Sequence, residues 1–551
     1  MSSIGTAGVT AAGATGVGAA TGAATGPVLR LRRAQEPPTV WSPLDAFLYN
    51  LMTTNVAVLF GVPFVAGAAF YFPLRSLTIS IVVAGAFCLV EALVYAFLVS
   101  SLPHNGGDYA FQSRLLSSPA AAVFAFSGIV VGGALWTGIA GWFASRVAVG
   151  PFLVLFGHAL DAGFIIAAGD WVMSTQGLVL MGLLATAWSA LITSRSMRVY
   201  ARVQRILVLV GLAAALVLVT YFALTRLSVN VSMYRGIVYR AVAIGFGRSG
   251  HSEGWDAAVA LLPLVAFGLI YPGWVAFQSA EVRRAGDLRV QMMTIVGAKA
   301  ASIVLALVVL PLPLRHVGEE LFGASVYLAV HDPASFWELV PRLFGLRAAP
   351  WLSAVILVSL AVALNTWFLV WVPNHMLAAS RVLLAMSWDR LLPRWMSALD
   401  ARRGTPVRAI LVFSAGAGAV VLLYATASVW QLVLHATLVN LVTFAVTCLA
   451  ATLFPFRRRE LYRESTAAPY EFLRVPLITV AGLVFVAFSA YLGIHYLAFG
   501  GPSGEVRLTD SLTFVAVVYG AATALYLVFR RHRHGHEGAG AELYYRETDG
   551  G

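Results

Sequence analysis

The chain has 551 residues, of which 59% are hydrophobic and only 11% are charged. Soluble domains carry roughly 45–50% apolar and about 25% charged residues, so the composition excludes an ordinary soluble protein, a disordered chain and a disulfide-rich secreted module. The net charge is +12, but basic residues need a polar face to bind nucleic acid, and the sequence offers none. We therefore expect an integral membrane protein whose partner is the lipid bilayer and not nucleic acid.

Apolar runs follow one another along the whole chain. A helix needs about 20 mostly apolar residues to cross about 30 Å of hydrocarbon. Twelve runs meet this requirement and are numbered as predicted spans 1 to 12: 44–70, 77–101, 119–150, 177–194, 203–225, 257–280, 291–313, 351–379, 408–427, 430–455, 475–497 and 511–529. The stretch 151–176 is also apolar, but its glycines and acids predict an outer loop. The sequence thus predicts an all-α membrane protein with 12 transmembrane helices.

The arginines indicate how these spans are oriented. Placing both termini inside puts most of the Lys and Arg side chains on the inner side, as the positive-inside rule requires. We expect a multi-pass protein of the cytoplasmic membrane. Residues 1–40 form a Gly/Ala-rich tract without the features of a signal peptide, so they are predicted to be a disordered cytoplasmic tail. Residues 531–551 form a second cytoplasmic tail.

Span 6 contains a predicted break. Its centre reads Phe267-Gly268-Leu269-Ile270-Tyr271-Pro272-Gly273-Trp274. Proline lacks an N–H and clashes with the preceding turn, and glycine adds backbone freedom, so the helix is expected to open here. Transporters built from inverted repeats bind substrate at such breaks near the bilayer midplane. The alternative is a simple proline kink.

Polar side chains mark span 1 as the partner of this break. Asn50, Thr53, Thr54 and Asn55 lie inside its apolar run. Four polar residues within six exceed what one helix contact needs, which favours the lining of a site over interhelical hydrogen bonds.

Two titratable residues lie deep within predicted spans. Glu91 is about 15 Å and Lys299 about 12 Å from the span ends, at 1.5 Å per residue. Such residues are functional candidates by default. We expect Glu91 to carry proton coupling, with Lys299 as the alternative titrating group and a proton, not sodium, as the coupling ion. A structural ion pair between the two is the other possibility.

Three stretches resemble the amino acid–polyamine–organocation (APC) permeases. The loop after span 2 reads Ser101-Leu102-Pro103-His104-Asn105-Gly106-Gly107-Asp108-Tyr109-Ala110-Phe111, followed by Arg114. The segments after spans 6 and 8, residues 279–285 and 381–393, are similar to the corresponding segments of that family.

The resemblance implies a fold and a function. It implies five-plus-five inverted repeats in 41–226 and 257–456, separated by an extracellular loop at 227–256, with two further helices in 457–530. It also implies secondary transport of an amino acid or related amine by alternating access, either proton-coupled or by exchange, with no enzymatic activity and no cofactor.

The resemblance also indicates site residues. The family's Gly-Ser-Gly run in span 1 falls on Val56-Ala57-Val58, where the amides remain but the glycines do not. Trp274 is the expected aromatic lid. Substrate is therefore expected between two groups: Thr53, Thr54, Asn55, Val56 and Ala57 on span 1, and Tyr271, Gly273 and Trp274 on span 6.

The loop after span 2 is expected to gate or brace the inner side. Gly106 and Gly107 permit a tight turn, while Asp108 and Arg114 can hydrogen-bond neighbouring helix ends. The alternative is a plain connecting turn.

Two other function classes compete with transport. A sensor could use the same fold to bind without transporting. A membrane enzyme would need clustered acids, His or Lys at one membrane face, whereas the acids here are scattered. A primary pump is not expected, because the sequence has no phosphate-binding Gly-x-x-x-x-Gly-Lys loop.

Overall fold

The computed structural model describes residues 37–54, 74–226, 231–245, 254–271, 273–309, 311–332, 350–426, 429–499 and 508–537. In these ranges the chain is almost entirely helical. The α-helices are α1 (Pro43–Thr53), α2 (Leu74–Ser101), α3 (Asp108–Leu115), α4 (Ser118–Ala125), α5 (Gly132–Phe143), α6 (Gly150–Leu160), α7 (Gly163–Met173), α8 (Thr175–Thr193), α9 (Met197–Leu224), α10 (Val231–Ala243), α11 (Trp255–Leu269), α12 (Leu288–Gln291), α13 (Ala298–Val309), α14 (Pro311–Val317), α15 (Glu319–His331), α16 (Pro350–Trp388), α17 (Val407–Tyr424), α18 (Val429–Arg457), α19 (Arg459–Arg463), α20 (Leu477–Phe499) and α21 (Leu508–Glu537).

Three π-helical and two 3-10 segments complete the helical structure. The π-helical segments are Phe126–Val131, Ala144–Val149 and Met292–Gly297, and they continue the helices on either side of them. The 3-10 segments are Trp274–Glu281 and Arg394–Ser397. Two short strands, β1 (Glu471–Phe472) and β2 (Val475–Pro476), pair antiparallel. The predicted all-α class therefore describes these residues apart from one small hairpin.

Ten helices in the described part of the chain are long and apolar enough to cross a membrane. They correspond to ten of the twelve predicted spans and identify a multi-pass membrane protein. The two remaining predictions are spans 1 and 6. Span 1 is helical from Pro43 to Thr53 and then passes outside the described residues, whereas span 6 is interrupted.

The start of α1 is fixed by its own sequence. Ser42 and Asp45 form a capping box, in which each side chain binds the backbone N–H of the other, and Pro43 occupies the first helical turn. Arg205 of α9 then binds the Asp45 carboxylate through two nitrogens, at 2.5 and 2.7 Å. This end of α1 is therefore anchored to α9.

The prediction of a loop at 151–176 is wrong, because the segment forms two packed helices, α6 and α7. The chain reverses at Asp161, whose φ of 54° is left-handed. The glycines that suggested a loop instead allow close helix contact. A Cβ on Gly157 would lie 2.7 Å from Ile166, and one on Gly169 would lie 2.7 Å from Val154.

Helices also occur in two other predicted non-helical segments. The loop 227–256 contains α10, and α21 continues to Glu537, into the predicted tail 531–551.

Small residues also set the approach of α5 to α8. A Cβ on Gly141 would lie 2.7 Å from the Cα of Gly182 and 2.8 Å from the carbonyl oxygen of Leu178. These are backbone atoms, which cannot move aside as a flexible side chain would. The two helices therefore pack at a distance that only glycine permits, as membrane helices often do.

We expect Gly141→Ala to destabilise the protein by about 1–3 kcal/mol, because the helices must separate to admit the methyl group. The measurement is the unfolding midpoint in detergent. Gly416→Ala in α17 is the matched control, since a Cβ there meets nothing within 4 Å. Equal midpoints for the two variants would contradict the close-packing argument.

Candidate functional site

The predicted opening of span 6 is present in the structure. Helix α11 ends at Leu269, and helical structure resumes as the 3-10 segment that begins at Trp274. Gly273 has φ −148° and ψ 72°, outside the helical region, while Pro272 lies outside the described residues. Intrahelical hydrogen bonds stop over this stretch, so backbone groups on both sides need other partners.

Lys299 supplies a partner on the α11 side of the break. Its side chain is buried, and its ammonium group donates to the carbonyl oxygen of Leu269 at 2.6 Å and to the hydroxyl of Thr54 at 2.9 Å. The carbonyl end of a helix carries the negative end of its dipole, so a cation is favourable there. Lys299 thus joins α13, the end of α1 and the break. It forms no ion pair with Glu91 within the described structure.

Asn50 supplies the partner on the other side. Its side-chain oxygen accepts from the backbone N–H of Val275 at 3.0 Å, and its NH2 group donates to the carbonyl of Thr294 at 2.7 Å. Thr294 belongs to the π-helical segment Met292–Gly297, a type of distortion that is frequent at functional sites. One buried amide therefore connects α1, the 3-10 segment and the π-helical segment.

The two threonines predicted beside Asn50 have different surroundings. Thr54 contacts Lys299, but the Thr53 hydroxyl donates to the carbonyl of Tyr49 at 2.8 Å and accepts from Asn374 of α16 at 3.0 Å. Thr53 thus makes an interhelical contact, the alternative that the sequence left open. The other three predicted residues of span 1 lie outside the described residues: Asn55, Val56 and Ala57.

Aromatic rings close around the break. The rings of Tyr271 and Trp274 are 6.0 Å apart, and Trp274 lies 4.8 Å from the imidazole of His375. Trp371 lies 4.7 Å from His375, and Trp136 lies 6.0 Å from Tyr271. The indole N–H of Trp274 is buried without a hydrogen-bond partner in the described structure. In the described ranges, the predicted lid residue therefore has a donor still to satisfy.

Three of these rings were not among the predicted site residues: Trp136, Trp371 and His375. The available signal was polarity, since Asn374-His375 is a polar pair within the apolar span 8. An aromatic residue in a membrane helix is unremarkable in sequence, so the two tryptophans gave no signal of their own.

Glu91 is fully buried in α2. Neither of its carboxylate oxygens has a hydrogen-bond partner among the described residues. It interacts electrostatically with both Lys299 and Asp108. Within the same ranges, no three His, Cys, Asp or Glu side chains gather into a group that could hold a metal ion. Among the residues that the structure describes, no hydrogen bond therefore holds the buried Glu91 carboxyl in place.

The loop between α2 and α4 packs directly against the 3-10 segment and α16. Gly106 has φ 105°, and a Cβ there would lie 2.8 Å from the Cβ of Ala385. Gly107 has φ 51°, and its Cβ would lie 2.4 Å from the ring of Phe277. The positive φ values and the close contacts both require glycine. The Gly106 N–H also donates to the Phe277 carbonyl at 3.0 Å.

The charged residues of this loop differ in what they contact. Asp108 is buried and accepts hydrogen bonds from Tyr95 of α2 and Thr447 of α18. Burial raises the pKa of Asp108 to about 6, although these two hydrogen bonds lower it. Arg114 was predicted to bind a neighbouring helix end, but its guanidinium donates within its own helix. Its carbonyl accepts a hydrogen bond from Arg458, outside this helix, at 3.1 Å.

A buried ion pair lies beside this loop. Arg381 of α16 donates to Glu281 through two nitrogens, at 3.0 and 3.3 Å, and both side chains are fully buried. Asn105 of the loop also approaches Glu281, at 3.4 Å. Glu281 and Arg381 belong to the two segments, 279–285 and 381–393, that were noted only for their resemblance to a family. The structure brings them into contact.

We expect Glu281→Gln to cost about 3–5 kcal/mol of unfolding free energy, because Arg381 would keep a buried charge without a counter-ion. The measurement is denaturant unfolding in detergent. Asp287→Asn is the control, since its partner Arg284 is 72% exposed and an exposed pair contributes about 0–1 kcal/mol. A loss for Glu281→Gln no larger than the control's would show that the buried pair does not hold this end together.

Comparison with known proteins agrees with this architecture. A family model described as amino acid permease matches residues 44–522, a range that includes the break, the loop and the buried ion pair. No curated protein matches the sequence significantly. The chain belongs to the amino acid permease family, within the APC superfamily.

Proposed function

We propose that this permease is a secondary active transporter that moves an amino acid or a related small amine across the cytoplasmic membrane by alternating access. The break between α11 and the 3-10 segment is the observation that carries the proposal. An interrupted membrane helix frees backbone groups that can bind a polar ligand. In this proposal twelve helices form two five-helix inverted repeats plus two further helices, and the loop after α2 lies on the cytoplasmic side with both termini, as the arginines indicate.

The proposed substrate site lies between the end of α1 and the break. Three observations support this position. Asn50 and Lys299 bring α1 within hydrogen-bond reach of both sides of the break. The rings of Tyr271 and Trp274 cover the same place, and the Trp274 N–H has no partner in the described structure. A substrate that separates these rings would gain apolar contact with them. It would also accept a hydrogen bond from the Trp274 N–H.

Trp274→Ala is expected to weaken substrate binding by about 1–3 kcal/mol, because the variant loses one buried aromatic wall. The measurement is the half-saturating concentration for uptake of labelled amino acids into proteoliposomes. Trp171→Ala in α7 is the control, because its side chain is exposed and lies outside the ring cluster. Unchanged binding in Trp274→Ala would remove this ring from the site.

We propose that Glu91 carries the coupling proton and that Lys299 occupies a cation position permanently. Carbonyls at half-helix ends commonly coordinate the coupling cation in broken-helix transporters. Here the Lys299 ammonium already binds the Leu269 carbonyl and the Thr54 hydroxyl. Glu91, by contrast, is buried without a hydrogen bond in the described part of the chain. Charge on such a group is costly, which favours exchange of a proton over a fixed charge.

The two roles predict different defects in sodium-free medium. Glu91→Gln is expected to lose accumulation driven by a pH gradient, because glutamine cannot exchange a proton. Lys299→Met is expected to reduce driven uptake and substrate exchange together, because the Leu269 carbonyl loses its partner. Uptake into proteoliposomes, with and without a pH gradient, measures both.

Two results would contradict the assignment. Full pH-driven accumulation in Glu91→Gln would exclude Glu91 as the proton carrier. An absolute sodium requirement in the wild type would exclude proton coupling altogether. A wild type that binds labelled amino acids but never accumulates or exchanges them would be a sensor and not a transporter.

A further inference from the structure

The carboxyl group of Asp108 contacts two helices through one of its oxygens. Asp108 is the first residue of α3 and is completely buried. One of its oxygens accepts from both Tyr95 and Thr447, while the other has no hydrogen-bond partner in the described residues. One buried carboxyl oxygen therefore contacts both α2 and α18, beside the hydrogen bonds that Gln112 donates to Thr443 and Thr447 of α18.

Tyr95 connects this group to Glu91. Glu91 and Tyr95 are four residues apart in α2, so they lie on the same helix face, about 5–6 Å apart at their Cβ atoms. Neither Glu91 oxygen has a hydrogen-bond partner within the described ranges, so no hydrogen bond there competes with one to the tyrosine. Glu91 also interacts electrostatically with the Lys299 ammonium and, more weakly, with Asp108. Two buried carboxyl groups in mutual range resist being charged together, so a single proton between them is favoured.

We propose that Asp108 is a second proton-binding site of this permease, which receives through Tyr95 the proton that Glu91 carries. This inference rests on the proposed proton coupling. In the transfer, Tyr95 gives its hydroxyl proton to the Asp108 carboxylate and takes the proton of the Glu91 carboxyl in exchange. One carboxyl group becomes charged as the other becomes neutral, so the net charge of the pair stays constant and Tyr95 is regenerated.

Arrival of the proton changes how the loop is held. A charged carboxylate accepts hydrogen bonds roughly twice as strong as those of neutral groups. Protonated Asp108 therefore binds Tyr95 and Thr447 more weakly, and the start of α3 is held less tightly to α2 and α18, while Gln112 keeps its hydrogen bonds to α18. Release of the proton to water on the loop side restores the charge and the tighter contact.

The surroundings of Asp108 suit this exchange. The titratable groups acting with it are Tyr95 and Glu91 from α2 and Cys448 from α18. No basic side chain forms an ion pair with Asp108 in the structure described above. Its pKa of about 6, raised by burial, lies where protons exchange under physiological conditions.

Infrared spectroscopy of the full-length protein in lipid nanodiscs tests the site directly, with protons as the only ligand. The wild type should show a carboxylic C=O band that titrates near pH 6, and Asp108→Asn should lack it. Tyr95→Phe removes a hydrogen bond that favours the charged form, so the band should titrate at higher pH. Tyr109→Phe is the matched control, because its hydroxyl binds Asp389 instead. A titration unchanged in both Asp108→Asn and Tyr95→Phe would overturn the proposal.

Transport separates this inference from the proposed function. With labelled L-amino acids in proteoliposomes, Asp108→Asn and Tyr95→Phe should each lower the ratio of pH-driven accumulation to exchange at equal pH. A defect in folding alone would lower both activities and leave the ratio unchanged, which would count against the relay. If accumulation by the wild type does not depend on the pH gradient, proton coupling itself is wrong. If the pH gradient drives accumulation by the wild type and by both variants to the same extent, only the role of Asp108 is wrong.

Discussion

Every backbone polar group inside a bilayer needs a partner, and the break after α11 is the place where the fold meets this requirement with side chains. An unsatisfied N–H or carbonyl in hydrocarbon costs several kcal/mol. Lys299 satisfies the carbonyl on one side and Asn50 the amide on the other. The partners of the break come from α1 and α13, so its stability depends on how those helices are placed. A break held in this way can rearrange only when its neighbours move, as the proposed alternating access would require.

In the described structure, some buried charged side chains form an ion pair with each other and others do not. Glu281 and Arg381 neutralise each other through two hydrogen bonds at one end of the bundle. Glu91 has no such bond, and Lys299 binds neutral oxygens instead. In the described ranges, the fold thus pairs the charges that brace it and leaves the Glu91 carboxyl without an ion pair. Because an unpaired buried charge is costly, its persistence favours a role in function over a role in stability.

Much of the architecture could be predicted from sequence, because the bilayer imposes a simple length and polarity requirement. The opening of span 6 followed from Pro272-Gly273, and the tight loop followed from Gly106 and Gly107. The helices of 151–176 could not be predicted, because a glycine that permits close packing and a glycine that breaks a helix are the same letter. Contacts such as Glu281–Arg381 depend on which helix faces meet, and one sequence without distances does not contain that information.

The loop and the break are parts of one structure. The 3-10 segment that begins at Trp274 also carries Phe277, which packs on Gly107, and it ends at Glu281, which binds Arg381. A substrate that displaced Trp274 would therefore act on a segment whose other end contacts the loop. Asp108 lies in that loop, beside the helix that carries Glu91. If the proposed substrate site and proton path are correct, substrate binding and proton exchange would act on the same few contacts, and these shared contacts would be a simple physical basis for coupling the two.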